Sequence, residues 1–568
     1  LIRVILDNST KHSQADHGEG FWIDHWHYCL DMLESYIGLF PEDLNDILLA
    51  RKDFSFYDNA HTVVPRAKKY IIENNNVRQF KSVVKDGDKA ALISQRKIFK
   101  DTSRKDNGLG DIYKTSLISK MLIVIANKFA SLDPFNTGIE MEADKPNWYD
   151  SLNGLPGLLG SSTCETFELK RWILFLRSSL SQLKLDPQES ISLPSEAYDL
   201  LMGLERACKK DQDDRKFWDK RHTLKEKYRA KTRLGFKGDE KHIKIKVLGG
   251  ILDSFLKKID SGLRKARNKK TGLYYSYFIN EAVGYKMALD GGQSRYVKVE
   301  KFKQRALPLF LEGMVHAFRV NKDEDTAAGY YSAIRESELF DKELKMYKVC
   351  APLESMPEEI GRARIFTPGW LENESIWLHM EYKYMLELLK SGLYKQFYMD
   401  FKNVFVPFLD PAKYGRSILE NSSFIASSVF SKKEQRGNGF VARLSGSTAE
   451  FINIWLIMCA GKMPFYLNKD NKLCAELKPI LPGWLFTEKK TEGLERGTFS
   501  FKFLDKTLVV YHNKKRRNTF GKNGVKIKQI QINPVKGKSV VLKTPYLPEP
   551  FSHQLRQGDI KRLDIILG

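Results

Sequence analysis

Closely spaced cysteines are missing from this sequence. Its six cysteines (Cys29, Cys164, Cys208, Cys350, Cys459 and Cys474) never fall into a C-x-x-C pair, which excludes the common zinc and dithiol motifs and favours a reducing, cytoplasmic setting. Long apolar runs are missing too. The longest, such as "MLIVIA" at 121–126, fall far short of the roughly 20 residues that cross a bilayer. No secretory signal opens the chain and no methionine begins it; "LIRVILDNST" already reads as structure, so a fragment or a processed chain is expected. His25 and His27 have no third ligand at metal spacing, and no metal is expected. There is no internal repeat and no low-complexity linker.

Acidic residues are in deficit. The 568 residues carry 93 lysines and arginines against 70 acids, a net charge of +23. Such an excess suits nucleic acid, an anionic membrane or an anionic substrate. Much of it lies in two stretches, 205–245 and 498–544, the latter with 12 basic residues against the single Asp505. Both space their charges as solvated faces do, and neither carries paired RNP aromatics or a zinc finger, so no nucleic-acid partner is expected.

What is present is helical periodicity over about 20–475. "TSLISKMLIVIANKFASL", "ETFELKRWILFLRSSLSQL", "GGILDSFLKKIDSGLRKA", "SIWLHMEYKYMLELLKSGL" and "TAEFINIWLIMCAG" repeat apolar residues at steps of three and four. Loops rich in Gly, Pro, Asn and Ser separate them. After "LKPILPGW" the period changes to two in "GTFSFKFLDKTLVVYHN", "GVKIKQIQI" and "KSVVLKT", as in strands. The expected organisation is a mainly α region, 1–477, arranged as a closed helical array, followed by a small antiparallel β-domain, 478–568.

Four polar and aromatic loop segments interrupt this pattern: "GEGFWIDHWHY" (18–28), "EADKPNWYDSLNG" (142–154), "GWLENESIWLH" (369–379) and "RLSGSTAEF" (443–451). In the second, Asp150 is a lone carboxylate between aromatics and a glycine, a placement that is costly for an acid unless it is hydrogen-bonded or used. In the fourth, Ser445, Gly446 and Ser447 lead straight into an apolar helix, where hydroxyls and free backbone N–H groups suit an anion. Inverting cleavage of a glycosidic bond needs an acid for the leaving oxygen and a nucleophile on the opposite face. Phosphate as nucleophile is already anionic and requires no carboxylate base, so a lone Asp150 facing an anion site is chemically coherent.

Together these segments resemble the inverting β-glycoside phosphorylases related to cellobiose phosphorylase. Trp148-Tyr149-Asp150-Ser151-Leu152-Asn153 matches that family's Trp-x-Asp-x-Leu-Asn segment, Glu372-Asn373 with His379 matches its Glu-Asn and downstream His, and Ser445-Gly446-Ser447 matches its Thr-Gly-Thr-like turn. "MEADKPNWYDSLNGLPGLLGSS" and "YDNAHTVVPRAKKYI" look most similar to the members that act on β-1,2- or β-1,3-oligoglucans. The resemblance implies an (α/α)6 toroid followed by a β-sandwich, preceded in the relatives by a further β-sandwich that has no counterpart in this sequence.

For function, the resemblance implies reversible phosphorolysis of a β-linked gluco-oligosaccharide to α-glucose 1-phosphate, with no cofactor beyond inorganic phosphate. Asp150 is implied as the general acid. His379, Ser445, Gly446 and Ser447 are implied as phosphate ligands, and Asp24, Trp148, Glu372, Asn373, Arg416 and Glu420 as sugar contacts. Trp22 or Ile23 stands where the relatives carry an arginine, leaving the missing cation to Arg66 or Arg78. Trp370 and Leu371 replace the acceptor-site residues of cellobiose-type enzymes, which points to a longer glucan. The expected partners are the glucan, phosphate and, for assembly, a second copy, with no membrane. The alternatives are an inverting β-glucan hydrolase with Asp144, Glu142 or Glu374 as base, or an inactive glycan-binding fragment.

Overall fold

The computed structural model describes residues 25–568 apart from 146, 211–212, 288–295, 322 and 443–444, together with 4, 7, 8 and 23. Among the described residues the longer helices are α1 (His25–Leu39), α2 (Leu117–Ala130), α3 (Thr163–Leu183), α4 (Ser195–Lys209), α5 (Asp214–Lys231), α6 (Ile245–Ala266), α7 (Leu311–Val320), α8 (Glu324–Glu336), α9 (Leu378–Lys390), α10 (Tyr394–Val404) and α11 (Gly446–Ala460). Several begin where the sequence supplies a cap. Ser116, Asp213 and Asp323 each accept a hydrogen bond from a backbone N–H in the first turn of α2, α5 and α8, satisfying donors that have no partner within the helix. Helices α2, α3, α7, α9 and α11 pack side by side in that order.

The expected fold class is corrected. The chain is 43% helix and 22% strand, with many small antiparallel sheets, so it is not plainly a helical toroid followed by a sandwich. Strands occur throughout the region whose period reads as helical. β1 (Ile139–Glu140), β2 (Gly160–Ser162), β3 (Tyr277–Met287) and β4 (Val297–Ala306) form a sheet in the order β4-β3-β2-β1. β5 (Ile376–Trp377), β6 (Ser422–Ile425) and β7 (Gly439–Ala442) form another. β1, β2 and β5 are shorter than the roughly four residues over which alternation becomes readable, whereas the 11-residue β3 and the 10-residue β4 carry an alternation that the helical reading passes over.

The period-two segments near the C-terminus are strands: β8 (Thr498–Phe503), β9 (Thr507–His512), β10 (Ile527–Pro534), β11 (Val540–Leu542) and β12 (Ile560–Leu567). They make one five-stranded sheet in the order β8-β9-β12-β10-β11, in which β9 and β12 run parallel. This too departs from the expectation of two facing antiparallel sheets. The sheet shares a single apolar core with the helices, joined by residues such as Ile454, Phe499, Val509 and Leu563. Tyr511 donates to the Cys459 carbonyl at the end of α11 (2.8 Å) and Arg556 to the Leu39 carbonyl at the end of α1 (2.7 Å). No described helix is long and apolar enough to cross a membrane.

Candidate functional site

The sheet β5-β6-β7 explains how two distant loops meet. β5 runs directly into α9, so that His379 is the second residue of that helix, and the chain leaving β7 enters α11 within four residues. Both strands flank β6, so the N-termini of α9 and α11 emerge side by side and the two helices then pack along their length. His379 thereby meets the 445–447 turn. A β-carbon on Gly446 would lie 2.3 Å from His379 Nε2. Ser447 is fully buried, Ser445 Oγ and Ser447 Oγ are 3.0 Å apart, and Ser445 makes no side-chain cap. One residue before β7 ends, Val441 has φ +59°, a left-handed conformation that is strained for a β-branched side chain.

The 148–154 segment closes the site from the other side. The indole of Trp148 meets the His379 imidazole edge-on, with ring centroids 5.7 Å apart. Tyr149 is buried against Phe310 (5.1 Å) and donates its hydroxyl to the Glu372 carbonyl. That bond ties the 148–150 segment to the 370–374 turn, in which Leu371 (φ +50°) and Glu374 (φ +54°) are left-handed. Asp150 begins a short 3-10 turn with its side chain 45% exposed, and Arg362 Nη2 lies 3.8 Å from its carboxylate.

Asp150 does have a carboxylate beside it, against the reading of the sequence. Glu372 lies beside Asp150, close enough for the two carboxyls to influence each other. Burial first, and then the Asp150 charge, push the Glu372 carboxyl up to about 8, so Glu372 keeps its proton at neutral pH. Sequence distance concealed this, since 222 residues separate the two acids.

The other expected residues divide. Asn373 is buried and donates to the Phe366 carbonyl (2.7 Å), a fold-holding bond. Arg416 donates to the Gly439 carbonyl (2.7 Å) and reaches Glu420 at 3.5 Å. That loop borders α11 through Asn421, which donates to Thr448 (3.3 Å), and the described contacts do not bring it to Asp150. Asp24 lies outside the described residues. Arg66 is committed to Asp219 and Glu226, and Arg78 to Glu359, so neither is the missing cation. The candidate hydrolytic bases are also engaged: Glu142 with Lys69 (2.5 Å), Glu374 with Lys348 (2.6 Å), and Asp144 accepting from the Val83 N–H (3.5 Å).

Two residues of the site were missed. Glu450, one turn into α11, places Oε1 3.7 Å from His379 Nε2. Burial would raise its carboxyl, yet the bond to His379 and the charge of Lys383 hold it below the usual range. Lys383, four residues after His379, is buried, donates to the Tyr28 hydroxyl (2.9 Å) and lies 5.6 Å from the Trp148 ring centroid. Burial works against its charge, but Tyr28 and Glu450 outweigh it and raise the ammonium. The signal was available: positions 379 and 383 share one helix face, although a lysine at that spacing reads as a solvated residue.

Beneath this layer lies a buried ionic network. Tyr277 donates to Glu312, whose carboxyl burial pushes up to about 7. His316 contacts Glu168 at 2.8 Å, and His27 contacts Glu165 at 2.8 Å, the latter an ion-pair contact without hydrogen-bond geometry. Two sets, His27–Glu168–His316 and Cys164–Glu312–His316, bring metal-binding atom types within 4.8 Å of one another, a juxtaposition linear spacing did not reveal. Arg171 and Arg319 already occupy the Glu168 carboxylate at 3.1 and 2.7 Å, so a cation in the first set would have to displace two ion pairs.

Comparison with family models gives no match, and a search of curated proteins finds no matching relative.

Proposed function

We propose that this protein is an inverting glycoside phosphorylase that converts a β-linked gluco-oligosaccharide and phosphate into α-glucose 1-phosphate and a shortened chain. The observation that carries the reading is the position of the His379 imidazole between Trp148 and Gly446. It joins the acid-bearing segment, the Glu372–His379 segment and the Ser-Gly-Ser turn in one place.

The chemistry follows from that arrangement. Phosphate, held by His379, Ser447 and the N–H groups at the start of α11, attacks the anomeric carbon while the bond to the glycosidic oxygen breaks. Asp150 delivers a proton to that departing oxygen, and Glu372, protonated beside it near neutral pH, is placed to resupply it. Trp148 offers a face for the sugar.

The charge state of the carboxylates favours phosphate over water as nucleophile. Activating water takes an anionic base, whereas burial and the Asp150 charge hold Glu372 protonated near neutral pH, and the remaining candidate bases are held in ion pairs or backbone bonds elsewhere. The test is incubation with glucose 1-phosphate and a panel of β-linked glucosides. The proposal expects phosphate release with chain extension. Sugar release in phosphate-free buffer would refute it.

A further inference from the structure

The anion site as read from sequence lacks a fixed cation, and the arginines first considered for that role are engaged elsewhere. His379 has Glu450 beside it, a negative charge that works against binding an anion. Some other group must restore the balance.

Lys383 is placed to do so. It is 5% exposed, and its hydrogen bond goes to the Tyr28 hydroxyl rather than to a carboxylate. Among the described residues it forms no carboxylate ion pair, unlike the buried lysines Lys69 and Lys348, each bonded to a glutamate. Burying an ammonium without such a partner is costly, and it persists where other interactions or a ligand compensate. Lys383 stands one turn below His379 on the same face of α9 and within 5.6 Å of the Trp148 ring centroid.

We propose that Lys383 is the cation of the anion site, contacting bound phosphate or the phosphate of glucose 1-phosphate and offsetting Glu450. The proposal deepens the phosphorylase reading and rests on it. Among the described residues, the groups around His379 are Glu450 from α11, Lys383 from α9, Trp148 and the Asp150–Glu372 pair from the two loops, with Tyr28 of α1 behind Lys383.

The test measures inorganic phosphate binding directly, by calorimetry, and the KM for phosphate and for glucan separately, in wild type, Lys383→Met and Lys383→Gln. Lys462→Met, a change at an exposed lysine, serves as control. The expected result is at least a tenfold weaker phosphate Kd and a tenfold higher phosphate KM in both Lys383 variants, with glucan KM changed less than threefold. Unchanged phosphate binding in a folded variant overturns the proposal, as does a rise confined to the glucan KM or a wild type that binds no phosphate. If Lys383-dependent phosphate binding occurs without formation of glucose 1-phosphate, the phosphorylase reading falls and the anion site stands. Lys383→Arg, which keeps the charge, covers a Met or Gln variant that does not fold: it should bind phosphate within threefold of wild type, and a tenfold loss in the folded Arg variant overturns the assignment.

Discussion

The His379 imidazole lies against the α-carbon of Gly446, so close that a β-carbon there would come within 2.1 Å of ring atom Cε1. The glycine is required by this approach and not by its backbone conformation, since it sits in ordinary helix. Gly446→Ala should therefore leave α11 folded, alanine being the better helix former, while forcing the ring aside. A thermal midpoint within a few degrees of wild type and a phosphate KM raised at least tenfold are expected. Wild-type phosphate kinetics in that variant would mean the ring is not held where binding needs it.

Asp150→Asn should abolish phosphorolysis with the fold intact, because the amide has no proton of suitable acidity to give. Glu372 adds a pH signature. Its carboxyl is raised from 4.5 to about 8 by burial and by Asp150, so in that interval the folded protein binds more protons than the unfolded chain and stability falls as pH rises. Turnover should fall over the same upper range as Glu372 loses its proton. In Glu372→Gln both effects should disappear: a urea titration at pH 9 should show the variant gaining relative to wild type, and the alkaline limb near pH 8 should vanish. A limb that persists in the variant assigns it to another group.

The parts legible in the sequence were those with local signals. Asp150, His379 and Ser445–Ser447 stood in polar loops flanking strongly periodic helices, and the structure brings those loops together. Their neighbours were illegible because each depends on tertiary contact. Glu372 seemed to be a sugar ligand remote from Asp150, and its role as proton partner appears only when Tyr149 ties the two loops together. Lys383 and Glu450 carry no local signal that separates them from other charged helix residues. The fold class was misjudged for a related reason: strands as short as β1 and β5 leave no periodic trace, and a single sheet with one parallel pair cannot be told from a sandwich by alternation alone.

Glu374 separates the hydrolase alternative by stability rather than by rate. Its carboxylate pairs with Lys348 at 2.6 Å, and both side chains are under 10% exposed. Glu374→Gln leaves an unpaired buried ammonium, which should cost about 3 kcal/mol, read as a lower urea midpoint. Its turnover per folded molecule should stay within threefold of wild type. A variant of normal stability and no activity would instead make Glu374 a catalytic base.

The ionic network beneath the site should set the acid limit of the fold. Burial alone would raise the Glu165 carboxyl, but Lys128 and His27 outweigh it and bring it to about 2, below its usual 4.5. Glu168 is likewise held well below its usual value by Arg319 and Arg171 against burial. Depressed folded values mean that the unfolded chain takes up protons first as pH falls. The stabilisation is thus complete above about pH 5 and is lost progressively between roughly 4.5 and 2. Glu165→Gln keeps the Trp26 contact within reach but removes the charge opposite Lys128, and should cost about 3–5 kcal/mol at pH 7. Its stability should then depend less steeply on pH across that acid window, because one of the titrating groups is gone. Urea unfolding at pH 7, 5, 4 and 3 measures both quantities together. Parallel curves for variant and wild type would show that Glu165 does not exchange its proton on unfolding, and that the network is held by packing rather than by charge.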